Sequence, residues 1–211
     1  NYQSAPLVCT RGVIVFPNQE IIIDVGREKS IRAVEDGRQL FERRVVLVSQ
    51  RDLTIEDPGM SDLYGVGTLC EIRHIRRLDG YLRVKFRGVC RCELQSVSEE
   101  NGCQMAGFRV LNDIRQDELE EVTLVRMIAR QFEEMEAVSS HLPKEAIAEL
   151  ANGVSAQQLS DQIAQMFPFS LEKRQEFLET LGINDRLTLV LQEIQNEKQL
   201  SEIENKINEK V

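Results

Sequence analysis

Two short turns constrain this chain more than any other feature. Asp79-Gly80 and Asn101-Gly102 each stand between stretches of strand-forming text. An Asp-Gly or Asn-Gly pair is the strongest two-residue hairpin signal, because the favoured turn needs positive φ, which Gly and Asn tolerate. After the first turn Leu82, Val84 and Phe86 alternate with Arg83, Lys85 and Arg87. A period of two puts the apolar set on one face and the cations on the other, which describes a half-buried antiparallel strand. Gly88 interrupts the alternation, Val89 to Val97 resumes it, and Met105 to Leu111 follows the second turn. Upstream, Tyr64-Gly65-Val66-Gly67-Thr68 opens a long strand through Leu69, Ile72 and Ile75, and Val45 to Val48 reads as a compact buried strand.

The opening of the chain extends the pattern. Val13 to Phe16 is β-branched and aromatic and reads as a strand ended by Pro17, which has no N–H to give a ladder. Glu20 to Val25 is so continuously apolar that it predicts a deeply placed strand. Gly26 follows, and a helix starts near Ser30, read as its cap. That helix carries Gly37, which weakens it by about 1 kcal/mol against Ala. Short antiparallel strands with tight turns and one helix must hide their edges, and a closed or nearly closed small barrel does so.

From about Asp117 the period changes. Leu119, Val122, Val125, Ile128, Phe132 and Met135 keep a three-to-four spacing, with acids in the first turn, as an amphipathic helix requires. A second helix is expected from Pro143 through Ile147 and Leu150 to Asn152-Gly153. Ser155 with Gln158 caps a third, which Pro168 stops. Ser170 caps a fourth, ending before Gly182. The last helix starts near Asn184 and has no stop signal before Val211, and after Gln195 only Leu200, Ile203, Ile207 and Val211 remain as a thin apolar stripe. Such a helix is expected to leave the body towards a partner or a further domain, so the chain reads as cut within it. The divisions are 1–115 (β-rich), 116–183 (helical bundle) and 184–211 (exit helix).

Composition limits the function. A chain of 211 residues with 42% apolar side chains can bury a core without staples. Its net charge of −9 opposes nucleic-acid binding, which needs cations to neutralise phosphate. Arg73, Arg76, Arg77, Arg83, Lys85, Arg87 and Arg91 cluster in sequence, but alternation with apolar residues makes them a solvated outer face. No apolar run is long enough for a bilayer. The chain begins at Asn1 without Met or a charged apolar leader, so a targeting signal is either absent or left out. Five scattered cysteines do not form a secreted disulfide framework and fit a reducing, cytoplasmic setting. Cys90-x-Cys92 lacks the further ligands that zinc takes, so no metal site is expected. There is no G-x-x-x-x-G-K-S/T phosphate cradle. His74 and His141 have no acid or nucleophile at a telling spacing. No catalytic, cofactor-binding or metal-binding residues are expected.

The order of these segments resembles the amino-terminal, substrate-binding domain of bacterial-type ATP-dependent Lon proteases. Pro6 to Val34 is similar to that family's opening: a strand pair with Phe-Pro, an apolar strand, then Val25-Gly26-Arg27 with Ser30 and a helix. Asp62 to Thr68 resembles its "DLY-x-VGT" strand start, Asp79 to Val84 its "DG-x-x-x-V" hairpin, and Gly88-Val89 with Arg91 its "G-x-x-R" segment. Phe169 to Glu179 and Asn184 to Glu197 resemble the bundle that follows. Gly37, Cys9 and Cys70 depart from the pattern without questioning the fold.

The resemblance implies an α+β fold: a small PUA-like β-barrel with one helix, then a helical bundle and a long exit helix. It implies a non-catalytic part that recognises misfolded and regulatory proteins and helps assemble a hexamer. The apolar stripe that the last helix keeps without its normal neighbours points separately to a dimer of the isolated chain. ATP, Mg²⁺ and a serine–lysine pair would belong to the parent's own motor and protease domains. Phe16, Pro17, Met60 and Tyr64, in turn-rich text, are the candidate contacts for unfolded substrate; the plainer reading is that Phe16 is core and the others ordinary surface. The alternative is a stand-alone PUA-like module that binds a small ligand or RNA.

Overall fold

A computed structural model describes residues 3–136 and 155–211. The helix expected from Pro143 to Gly153, and His141 before it, lie outside the described residues. The chain divides into two compact units, Asn1–Asn112 and Asp113–Val211.

The first unit is one mixed sheet with one α-helix. Its elements are β1 (Gln3–Thr10), β2 (Glu20–Val25), α1 (Glu28–Leu40), β3 (Arg44–Ser49), a 3₁₀ turn (Met60–Asp62), β4 (Val66–Leu78), β5 (Tyr81–Glu100) and β6 (Cys103–Leu111). Both expected hairpins form. Gly80 has φ +83°, and Asn101 and Gly102 have φ +54° and +84°. The strand order is β2-β5-β4-β3-β1-β6, and β5 pairs with β6 as well. β5 is long enough to serve three neighbours: Leu82 to Arg87 pair with β2, residues through Glu93 with β4, and Arg91 to Glu100 with β6. The hydrogen-bonded pairings therefore run in a circuit through β5, β4, β3, β1 and β6, with β2 attached outside it. β1 and β3 are the parallel pair, Leu7 opposite Val46, and the crossover between them contains β2 and α1.

β3 is buried on both faces, which explains its unbroken run of Val and Leu. Val45 and Leu47 join one apolar cluster with Ala33, Val34, Val84 and Phe86. Val46 and Val48 join the other with Leu7, Leu69 and Phe108. Gly37 belongs to this packing: a Cβ there would stand 2.6 Å from Val45 Cγ1 and 2.9 Å from the Arg44 carbonyl. The helix propensity lost at Gly37 lets α1 lie close against the start of β3.

Three local expectations change. Val13 to Phe16 is not a strand, although Ile14, Val15 and Phe16 are buried. Its backbone is held by single bonds instead: Thr68 Oγ1 donates to the Val15 carbonyl at 2.6 Å, and the Asn18 N–H donates to the Gly88 carbonyl at 2.8 Å. A Cβ on Gly88 would sit 2.2 Å from the Phe16 carbonyl oxygen, so the break in β5 admits this segment. α1 begins at Glu28 with Arg27 at the cap position and no side-chain cap bond, so Ser30 lies inside the first turn. β2 is an edge strand rather than a deep one, because among the described residues it pairs with β5 alone and nothing covers its outer face.

The second unit contains α2 (Glu118–Glu136), α3 (Ala156–Met166), α4 (Leu171–Glu179) and α5 (Ile183–Lys210) among the described residues. The Ser155 and Ser170 hydroxyls accept from the N–H of Gln158 and Lys173, so both expected caps form. The stripe of α2 is turned from the expected one. Leu124, Ile128, Phe132 and Met135 are buried, while Leu119 is 79% exposed and Val122 is also exposed. α5 packs along α2 and sets which positions form the seam. Arg186 of α5 is fully buried. Its guanidinium reaches Asp113 at 2.8 Å, the Thr180 carbonyl at 2.9 Å, Ser160 at 2.8 Å and Asp161 at 3.4 Å. One side chain thus ties the entry segment, α3, the end of α4 and α5 together. From Glu202 to Val211, α5 is exposed on every side.

Candidate functional site

Phe16 has no accessible surface, and its ring lies 6.0 Å from the Arg91 guanidinium, so it is a core side chain. Pro17 is half-buried beside it, against Gly88. Met60 is 43% exposed in the 3₁₀ turn. Tyr64 follows that turn, half-buried, with the Arg51 guanidinium 4.8 Å over its ring. The four residues thus fall on two separate stretches, Phe16-Pro17 and Met60 to Tyr64.

The larger concavities of the first unit lie elsewhere, around the junction of β2 with α1. A groove of about 510 Å³ runs between the end of β1 and β2. Its apolar lining comes from Val8, Val13, Ile21, Ile22, Ile23 and Val25. A second hollow of about 420 Å³ adjoins it at the start of α1, lined by Glu56, Asp57 and Pro58 from the loop before the 3₁₀ turn and sharing Cys9, Arg11, Arg27 and Ser30 with the groove.

Arg27 forms the wall between them. Its guanidinium donates to the Cys9 carbonyl at 2.6 Å, to Gln50 Oε1 at 2.6 Å and to the Glu56 carbonyl at 3.2 Å. A planar fork with five donors suits three acceptors from three directions, which a lysine could not reproduce. Lys29 is held by Asp57 at 2.8 Å and by Glu99. Those two hydrogen bonds, Asp57 first, raise its pKa above the ordinary lysine value. Ser30 is only 7% exposed and lines both hollows, and its hydroxyl has no hydrogen-bond partner among the described residues.

The outer face of β2 alternates Glu20, Ile22 and Asp24. Lys85 binds Glu20 at 3.0 Å, and Arg83 binds Asp24 at 2.8 Å. These hydrogen bonds, more than the charge itself, hold both carboxylates below their usual pKa. Ile22, 63% exposed, stands between the two ion pairs. The run Ile21-Ile22-Ile23 hid this in the sequence, because three consecutive isoleucines conceal the charged–apolar–charged alternation at 20, 22 and 24. Other members of the basic cluster are likewise partnered: Arg73 with Glu71, and Arg77 with Glu35.

The thiols are unsuited to nucleophilic chemistry. Burial pushes Cys9 up to about 11 and Cys92 up to about 12, far from thiolate at neutral pH. Among the described residues no three His, Cys, Asp or Glu side chains are grouped to hold a metal ion. Among the same residues no helix is long and apolar enough to cross a membrane.

Comparison with known proteins adds the family context. Residues 4–196 match the family model described as the ATP-dependent protease La (LON) substrate-binding domain. The chain is 35% identical over 213 aligned residues to a Lon protease of Bacillus thuringiensis (strain Al Hakam), covering 100% of this chain and 27% of the relative. It is 31% identical to a Lon protease of Escherichia coli (strain K12), covering 98% of this chain and 26% of that one. The chain thus spans about a quarter of the length of these relatives. Among solved structures, the N-terminal domain of a Mycobacterium avium complex Lon protease superposes with a TM-score of 0.72 at 14% identity, covering 92% of this chain and 98% of that one. A Lon N-terminal domain protein from Xanthomonas campestris gives 0.58 at 18% identity, covering 90% and 97%. At such identities these two likenesses speak to the fold alone.

Proposed function

The chain belongs to the family of ATP-dependent protease La (Lon) substrate-binding domains, and from that premise we propose that it recognises misfolded and regulatory proteins as the non-catalytic part of an ATP-dependent serine protease. The match of the family model across residues 4–196 carries the reading. The sequence has no phosphate-cradling loop, so ATP and Mg²⁺ do not fit this chain and would be held by a motor elsewhere in the parent protein. A serine–lysine pair for peptide hydrolysis would likewise lie outside it. The circuit of strand pairings is consistent with a small PUA-like barrel. α5 is the start of a linker helix towards the motor, which accords with its exposed last turns. The parent works in the cytoplasm as a hexamer that this part helps to assemble.

Capture would rest on weak contact with exposed apolar segments. Met60, Tyr64 and Pro17 offer such contacts at the surface. Six copies on one ring raise the effective concentration for a second contact, so each one can be weak. The test is binding of the 211-residue chain to a reduced, unfolded protein and to the same protein folded. Preference for the unfolded form by tenfold or more is expected. Equal affinity for both, or none for either, counts against the reading. A P-loop encoded downstream of Val211 supports the motor; a stop codon there removes it.

A further inference from the structure

We infer that the free edge of β2 and the groove beside it form a strand-addition site, which takes an extended apolar segment of an unfolded polypeptide by main-chain hydrogen bonds. The inference rests on the capture role proposed above and names where and how capture occurs.

Three observations carry it. First, among the described residues β2 pairs with β5 only. An edge strand turns every second N–H and C=O away from its one neighbour, and an added strand satisfies them. Recognition through the main chain is indifferent to sequence, as capture of many unrelated substrates requires. Second, the space beside that edge is largely apolar and within the usual size for a ligand pocket. Side chains of a strand alternate between faces. An added strand would send one set into the groove over Val8, Val13 and Val25, and the other set outward beside Ile22. Third, Ser30 supplies a hydroxyl with no partner among the described residues, at the end of the groove where α1 begins without a side-chain cap. A peptide carbonyl arriving there meets an unused donor.

The occupant is a foreign segment and not a second copy of β2. Antiparallel self-pairing centred on Ile22 would set Glu20 opposite Asp24 of the copy, on one face and at both ends. Like charges directly opposite each other destabilise a strand pair. A segment with uncharged β-branched residues sets no charge opposite Glu20 or Asp24 and meets no such penalty.

The experiment uses the 211-residue chain and a fluorescent ten-residue peptide of alternating Val and Thr. Two further peptides carry N-methyl groups on all the Val or on all the Thr amides. Methylation in one register should weaken binding at least tenfold, and in the other register should leave it within about threefold. Ile22→Pro, which blocks the edge, should abolish binding, and the milder Ile22→Lys should weaken it, with the circular dichroism of both variants unchanged. Equal tolerance of both methylated registers, or retained binding by both Ile22 variants, overturns the inference. So does a β2-mediated dimer that the peptide does not disperse. If the chain binds a reduced, unfolded protein but ignores methylation, only this inference falls. If it binds no unfolded protein at all, the capture role falls with it.

Discussion

The two units solve the same problem, how to bury a core without stranding polar groups, by opposite means. In the β unit the backbone does the work: six strands share ladders, and β5 alone serves three neighbours. Close fit there depends on places with no side chain, such as Gly88 beneath the Phe16 carbonyl and Gly37 against Val45. In the helical unit each helix satisfies its own backbone, so the helices must be joined through side chains. Arg186 does this with a fully buried guanidinium shared among Asp113, Asp161, Ser160 and the Thr180 carbonyl. That solution leaves loose ends: Arg186 Nη2, Asn184 Oδ1 and Arg174 Nε are buried without a hydrogen-bond partner among the described residues. Among the described residues the β unit has no such buried side-chain atom. A sheet fixes its geometry through repetitive bonds, whereas a bundle held by one charged centre depends on that centre.

The sharpest break in the comparison is Arg186→Met. It leaves Asp113 and Asp161 without their buried cation, and removing one partner of a buried ion pair costs about 3–5 kcal/mol. Urea unfolding followed by far-ultraviolet circular dichroism should show the helical signal lost early, with the β signal remaining. Loss of both signals together would mean that the two units do not unfold separately.

Gly88→Ala tests the β unit. A Cβ placed 2.2 Å from a backbone oxygen forces the Val13 to Phe16 segment away from β5, and overpacking of this kind costs about 1–3 kcal/mol. Here the β signal should melt first. An unchanged midpoint would show that the segment moves aside at no cost.

The smallest expected effect is alkaline. Cys92, pushed up to about 12 by burial, keeps its proton in the folded state after the unfolded thiol, near 9, has lost its own. The unfolded state then binds fewer protons, so stability present below pH 9 declines as pH rises towards 12, by about 1 kcal/mol at pH 10. Cys9, pushed up to about 11, acts in the same sense. Cys92→Val should flatten the decline of the melting temperature between pH 8 and 10.5; an unchanged slope would assign it to other groups.

The elements visible in the sequence were those with local causes. Asp79-Gly80 and Asn101-Gly102 turn the chain wherever they stand, and Ser155 and Ser170 cap helices through N–H groups three residues on. The alternation from Leu82 to Arg87 needs only the strand's own pleat. Ser30 misled because a serine before an apolar period resembles a cap, yet the helix began two residues earlier, at Glu28. The candidate site was the least legible part. Phe16 lies in the core, as the plainer reading of its sequence has it, whereas Ile22, hidden in a run of isoleucines, stands exposed at the edge of the groove.

By itself, then, the sequence determined turns, caps, periods and their order, which sufficed to show its likeness to one family. The tertiary structure alone decided which strand is an edge, which face of α2 forms the seam and where a groove opens. Those properties belong to pairs of segments far apart in the chain. Ile22 is exposed because nothing among the described residues covers the outer face of β2, and Leu119 because α5 packs on another face of α2. A local pattern records what a residue prefers, while its burial is set by the neighbour that folding brings to it.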